Sequence, residues 1–454
     1  MFFQMKCYPK SLFTLIMGLI LIFTACDMFD EEEFSSEETM EQQMPFTQYV
    51  ISYWRGIDTG RYQLQWSQQL SGVNGRHLSL DRYQMQNYHS DDIWYFYYNN
   101  IFRDLQEMVS IATEEDAKAY RGISRILQAY SLGFMTDTWG DIPHEYGAGY
   151  FTQPSIPMYD EQSMLYINIM ELLDGGIMDL KAAAEEDGLI PGAQEDPIYG
   201  GDLDKWERAA NVIKLRHLLR MGNQADNYNN ALTHMTSKPL FTGIHDDMVY
   251  EYDEALDQVN PHHFFRDVTR AGAFFVDRLV EHDDPRLPHF LTTNYDDEYV
   301  GAAPGSGDHN ASSPGPALTS ETAPLALISY TEQKFIEAEL YWRSGQQSLA
   351  DEAYEEAVIS SLRKLDIEDS EWEAAHADIE NADLEDIMDA KYVALFLNPE
   401  VWTDYRRTGY PNLTGYEDND IPRRFLYSGR ELNNNPSHTP ADVDLYTRMW
   451  WDTE

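Results

Sequence analysis

Three stretches of this 454-residue chain carry side chains that could hold a ligand. From Tyr53 to Tyr88, rings alternate with amides and a guanidinium. Trp54, Tyr62, Trp66, Gln68, Gln69, Asn74, Arg76, Tyr83, Gln86 and Asn87 all fall here, and Gly72 and Gly75 mark a turn. A ring can cover the apolar C–H face of a sugar while amides and charged groups pair with its hydroxyl rim, so the mixture suits a polyhydroxylated ligand. Trp66, Asn74, Arg76 and Tyr83 are the candidates, although Trp54 and Trp66 fit equally well as core residues of a helix. The second stretch, Tyr295–Asn310, offers Tyr299, Asp308 and Asn310 on a long polar loop. The third, Glu417-Asp418-Asn419-Asp420, has the oxygen ligands a structural Ca²⁺ would need but not the spacing of a calcium loop.

Catalytic signatures are missing. There is no HExxH, no GxSxG and no phosphate-binding loop. The 13 His are scattered, and His262-His263 and the His282/His289 pair have no partners at metal-ligand spacing. A glycosidase needs only two placed carboxylates, and 78 acidic residues leave that open. The formal net charge of −46 has the wrong sign for phosphate neutralisation, which excludes non-specific nucleic-acid binding and docking through a basic face onto anionic lipid.

The N-terminus reads as an export signal. Lys6 and Lys10 precede the apolar run Leu12 to Phe23, which is about half the roughly 20 residues a membrane-spanning helix needs. The run ends in Phe23-Thr24-Ala25-Cys26, which resembles a bacterial lipobox with Phe where Leu is commoner. The expectation is a signal over 1–25, a lipidated Cys26 and an acidic tether over 26–45 that begins Asp27-Met28-Phe29-Asp30-Glu31. Cys7 and Cys26 are the only cysteines, so the body has no disulfide framework.

The elements that must position the candidates are mainly helical. Helical periodicity marks Asp91 to Ile111, Glu114 to Met135 with Thr113 as its N-cap, Tyr159 to Ala184, and Leu203 to Met221 with Asp202 as its cap. It also marks Ile328 to Ser344, Ser348 to Leu365 and Asp383 to Leu397. Ala338, Tyr341, Gly345, Ala350, Tyr354 and Ala357 fall at the spacing of a tetratricopeptide-like helix pair. Gly/Pro-rich stretches such as Gly301 to Pro316 separate the helices. In Trp94-Tyr95-Phe96-Tyr97-Tyr98 the aromatics are too continuous for one helix face, so part of the run belongs to the core.

Several ordered strings carry a family resemblance: Thr138-Trp139-Gly140-Asp141, Asp196-Pro197-Ile198-Tyr199-Gly200-Gly201-Asp202 leading into Trp206, Asp284-Pro285-Arg286, Trp402-Thr403-Asp404-Tyr405-Arg406-Arg407, and the closing Trp450-Trp451-Asp452. With the lipobox, they resemble the SusD/RagB family of outer-membrane nutrient-binding lipoproteins, in its second SusD-like subgroup. The resemblance implies one mainly α domain over 46–454, built on tetratricopeptide-like helix pairs in a superhelical scaffold with long irregular loops. It implies a cell-surface protein that is not an enzyme and binds oligosaccharide or peptide for a SusC-like TonB-dependent transporter, touching the membrane through lipid alone. The residues alone leave two alternatives, a surface glycosidase or peptidase on a helical scaffold and a structural lipoprotein. Bottom-up, Trp139 and Trp206 read as core, and Arg406-Arg407 with Asp404 as a buried ion-pair network holding the C-terminal segment.

Overall fold

Small residues set how closely the helices approach. In this computed structural model, which describes residues 39–144, 157–186, 188–222, 224 and 227–453, Lys118–Trp139 packs on Gln162–Glu186. Lys118 pairs with Glu186, Arg121 with Asp179 at 2.6 Å, and the Gln162 amide donates to the Thr136 carbonyl at 2.7 Å, so the two helices run antiparallel. At the crossing, a Cβ on Gly122 would sit 2.9 Å from the Gly176 carbonyl oxygen, which fixes glycine there by contact. The pair Tyr330–Arg343 and Gln347–Arg363 follows the same logic. Ala338, Ala353 and Ala357 are buried between the two helices, Phe335 meets Tyr354 edge to face at 6.3 Å, and Gly345 turns the chain at φ +72°.

Of the two expected caps, Asp202 acts and Thr113 does not, and Ser329 adds one not expected. The Asp202 carboxylate caps Leu203–Arg220 by accepting from Lys205 N, and Ser329 caps Tyr330–Arg343 by accepting from Glu332 N. Thr113 does not cap. The helix Arg103–Glu114 runs through it, its hydroxyl donates back to the Val109 carbonyl, and the next helix begins only at Lys118. Asp91 to Glu114 is helical throughout but contains a π-turn at Tyr97–Phe102. Trp94, Tyr97 and Tyr98 stand at i, i+3 and i+4 and share the buried face, while Tyr95 stays exposed. Met40–Trp54 is the first described helix, so it opens within the stretch expected as tether. Cys26 and the signal lie outside the described residues.

The strands are few and short. β1 (Leu70–Gly72) pairs antiparallel with β3 (Thr269–Ala271), β2 (Met248–Tyr250) with β6 (Leu325–Ile328), and β4 (Leu291–Thr292) with β5 (Ser313–Pro314). A core of Leu64, Leu70, Phe275, Phe290, Phe396 and Val401 lies behind β1 and β3, with Phe275 and Phe396 stacked at 4.2 Å.

The family strings keep the fold. Asp196 is fully buried and accepts from Trp206 Nε1 at 2.7 Å, Gln48 Nε2 at 2.9 Å and Gly201 N at 2.8 Å. Arg286 grips Asp284 through two nitrogens and donates to Ser361 at 2.8 Å. Trp139 and Trp206 are fully buried. Arg407 bonds Glu339 through both terminal nitrogens and reaches Asp404 at 3.0 Å. Arg406 departs from the expected carboxylate network. Its guanidinium donates to the carbonyls of Asp137 at 2.7 Å and Arg423 at 2.8 Å and lies 3.5 Å over the Trp402 ring.

Candidate functional site

β3 brings the candidate stretches onto one face. Ser71 lies opposite Arg270, and the other edge of β3 takes the Ser312 carbonyl through Ala271 N at 2.8 Å. Residues 70–83, 261–271 and 292–322 therefore neighbour one another. Close approach at Gly72 secures the first turn, since a Cβ there would meet the His77 carbonyl oxygen at 2.1 Å. The short helix Gly75–Asp81 follows, and two loops lean on its C-terminal end. Asp81 Oδ2 accepts from Gly305 N at 2.6 Å and from Ser71 Oγ at 2.8 Å. Arg82 Nε donates to the Gly305 carbonyl at 2.8 Å. Tyr83 Oη accepts from Tyr416 N at 3.0 Å, and the two rings meet edge to face. The carboxyl of Asp81 is pushed up to about 7 by burial, against the pull of its hydrogen bonds.

The loop between β4 and β5 carries the most exposed ring of this face. Tyr295 is 84% exposed. Its backbone is fixed, because Tyr295 N donates to Asn310 Oδ1 at 3.2 Å, Asn310 Nδ2 donates to Asp296 at 2.9 Å, and Asp308 accepts from Asn310 N at 2.8 Å. The ring borders a cleft of about 610 Å³ that is also lined by His263, Arg266, Arg270, Thr292 and Glu321. Backbone carbonyls lock Arg270 in place: it donates to His309 O at 3.2 Å, Arg266 O at 2.9 Å and Thr269 O at 2.8 Å. His263 lies 3.2 Å from both Glu321 and Arg266 Nη1. One solvent-facing ring beside fixed charged and hydroxyl groups can stack a sugar face and pair with its rim.

The predicted residues divide sharply. Trp66 is fully buried, donates to the Leu80 carbonyl at 3.0 Å and packs on Phe425 and Trp402, so it is a core residue with no ring face for a ligand. Tyr83 is buried too, and its hydroxyl positions the Tyr416 loop. Tyr299 is half-buried against the Phe275 core. Asn74 and Arg76 are exposed, with Arg76 paired to Asp58 at 3.1 Å. Asp308 and Asn310 lie on the face, but their side chains shape the Tyr295 loop. Arg266, Arg270 and Glu321 were missed, and the only available signal was two arginines four residues apart beside the aromatic run His262 to Phe265. Among the described residues no group of three His, Cys, Asp or Glu side chains could hold a metal ion, Glu417 to Asp420 included. Glu417 instead accepts the Tyr416 hydroxyl at 2.7 Å.

A family model described as starch-binding, associating with outer membrane, matches residues 36–428. Among solved structures, one described as a chitin-binding protein superposes with a TM-score of 0.78 at 21% identity, covering 92% of this chain and 100% of its own. A SusD/RagB family protein from Bacteroides thetaiotaomicron gives 0.79 at 21% identity, covering 92% and 99%. A chitin-binding SusD homolog from Flavobacterium johnsoniae gives 0.77 at 20% identity, covering 91% and 98%. At this identity the structures establish likeness of fold. No curated protein matches.

Proposed function

The chain belongs to the SusD-like family of starch-binding, outer-membrane-associated proteins, and from that premise we propose that it captures a glycan nutrient, or an oligopeptide, on the Tyr295 face. In this reading it is a binding protein and not an enzyme. It is held at the cell surface by acyl chains on Cys26, and it hands its ligand to a SusC-like TonB-dependent transporter. The lipobox-like Thr24-Ala25-Cys26 supports the anchor, and no helix among the described residues is long and apolar enough to cross a membrane.

The observation that carries the binding site is Tyr295, a large exposed ring on a loop braced by Asn310 and Asp308, beside a cleft with fixed arginines. A freely moving aromatic would lose rotational freedom on binding, whereas a braced backbone lowers that cost. Two similar structures are described as chitin-binding, so N-acetylglucosamine oligomers head the ligand panel, followed by starch and other oligosaccharides and by peptides. Calorimetric titration of the purified protein tests the reading. Saturable binding of one class, with the ligand recovered uncleaved, is expected. Turnover of the ligand would replace the binding reading with a hydrolase, and no binding to any class would remove it. Co-purification of a barrel transporter from outer membranes tests the partner.

A further inference from the structure

A second concavity lies outside the Tyr295 face and shares no lining residue with it. It measures about 500 Å³, within the range of roughly 300–1,000 Å³ typical of small-molecule sites. Its walls come from separate elements. The β2–β6 pair contributes Val249 and Leu325, the end of Gln347–Arg363 leads into Leu365, and the turn before Pro399 supplies Phe396 and Leu397. Leu318 and Phe290 complete the apolar lining.

Among the polar lining residues, which include Asp366, Ser361 and Asn398, two features bear on the ligand. The first is His262, on the single turn Pro261–Phe265, which the Asn260 side chain caps by accepting from His262 N at 2.7 Å. Asn260 in turn donates to the Ala323 carbonyl at 2.7 Å, which pins the start of the turn. His262 is 92% buried as a residue and lines the cavity. Burial, then the charges of Arg61 and Arg55, pushes the imidazole down to about 3, so it is neutral and carries both a donor and an acceptor at neutral pH. The second feature is Lys364, whose ammonium is matched by Asp247 at 2.6 Å, leaving no uncompensated cation in the lining.

We propose that this cavity is a second binding site, for a small, non-anionic, largely apolar compound with one hydroxyl, an aromatic alcohol in type, whose hydroxyl pairs with His262. The apolar walls favour a ring or short hydrocarbon body, and an anionic ligand would lose its hydration against them with Lys364 already paired to Asp247. A neutral imidazole offers one donor and one acceptor to a hydroxyl that reaches it.

Calorimetric titration of the whole protein with 2-naphthol tests the site. One saturable site is expected, and Tyr295→Ala should leave it unchanged. Ala326→Trp and Ala394→Trp project bulk into the cavity from different elements, and either should abolish binding while the circular dichroism spectrum stays native. His262→Leu should weaken binding about tenfold, as loss of one hydrogen bond predicts, and His262→Gln should restore most of it. No saturable binding, or unchanged binding in a folded Trp variant, overturns the proposal. Equal affinity in His262→Leu overturns the assignment to His262.

Discussion

Asp81 and Gly305 are 224 residues apart in sequence, yet the Asp81 carboxylate accepts the Gly305 amide at 2.6 Å, with no water-sized gap between the helix Gly75–Asp81 and the loop before Asp308. That bond, with Arg82 on the Gly305 carbonyl and Tyr83 on the Tyr416 amide, joins three distant segments into one face. In the proposed reading each of the three residues supports the site from behind.

Asp81 therefore predicts a pH dependence. Burial raises its carboxyl to about 7, above the ordinary value near 4 that the unfolded chain would show. The folded state then binds more protons than the unfolded state between those values. This group's contribution to stability is fully present below about pH 4 and is lost as pH rises through about 7. Asp81→Asn keeps an acceptor for Gly305 N and removes the titration. Melting curves at pH 5 and pH 8 should show the variant gaining on the natural protein as pH rises; a constant difference would contradict the assignment.

Arg407 and Glu339 form a buried pair whose loss should be severe. Burial alone would raise Glu339, but Arg407 and then Arg343 outweigh it and hold its carboxyl down at about 2. This contribution is present above the ordinary carboxylate range and is lost as pH falls toward 2. Arg407→Ala should cost about 3 kcal/mol in denaturant unfolding, because it leaves the buried Glu339 carboxylate with Arg343 alone. Arg407→Met combined with Glu339→Met should recover much of that loss. Equal losses in the single and double variants would contradict the pairing.

Helix contact at Gly122 gives a steric prediction. Gly122→Val places a Cβ against the Gly176 carbonyl oxygen at a distance real side chains do not tolerate. Overpacking of this kind costs about 1–3 kcal/mol. Thermal unfolding checks it, and an unchanged melting temperature would mean that the two helices can separate there at no cost.

Trp66 and Tyr295 should separate stability from binding. Trp66→Ala empties a fully buried site and should cost about 3–5 kcal/mol of stability. Tyr295→Ala removes an exposed ring and should leave the unfolding midpoint within error while weakening ligand binding about tenfold, an effect of about 1.4 kcal/mol. The opposite pattern would return the site to the Trp66 region.

These two residues also show what the sequence could disclose. Both are aromatics set among amides and turn residues, and composition treats them alike. Burial separates them, and burial depends on Trp402 and Phe425, more than 300 residues beyond Trp66. Local signals were legible: the Asp202 and Ser329 caps act within three residues, and the alanines of the 330–363 pair follow helical spacing. Thr113 misled because the same hydroxyl can cap a helix or bond back four residues within one. The ordered strings pointed to the family because they are fold-keeping contacts such as Asp196 with Trp206. Arg406 was misread because backbone carbonyls leave no trace in a list of residue types. The arginines of the cleft were missed because only β3 pairing brings residues 266–270 beside the Tyr295 loop.

The most direct test of the account is a crystal structure of the protein with the oligosaccharide that the panel selects. A sugar ring stacked on Tyr295 is expected, with hydroxyls within hydrogen-bond distance of Arg270, Arg266 or Glu321. A sugar bound elsewhere, with Tyr295 left uncovered, would contradict it.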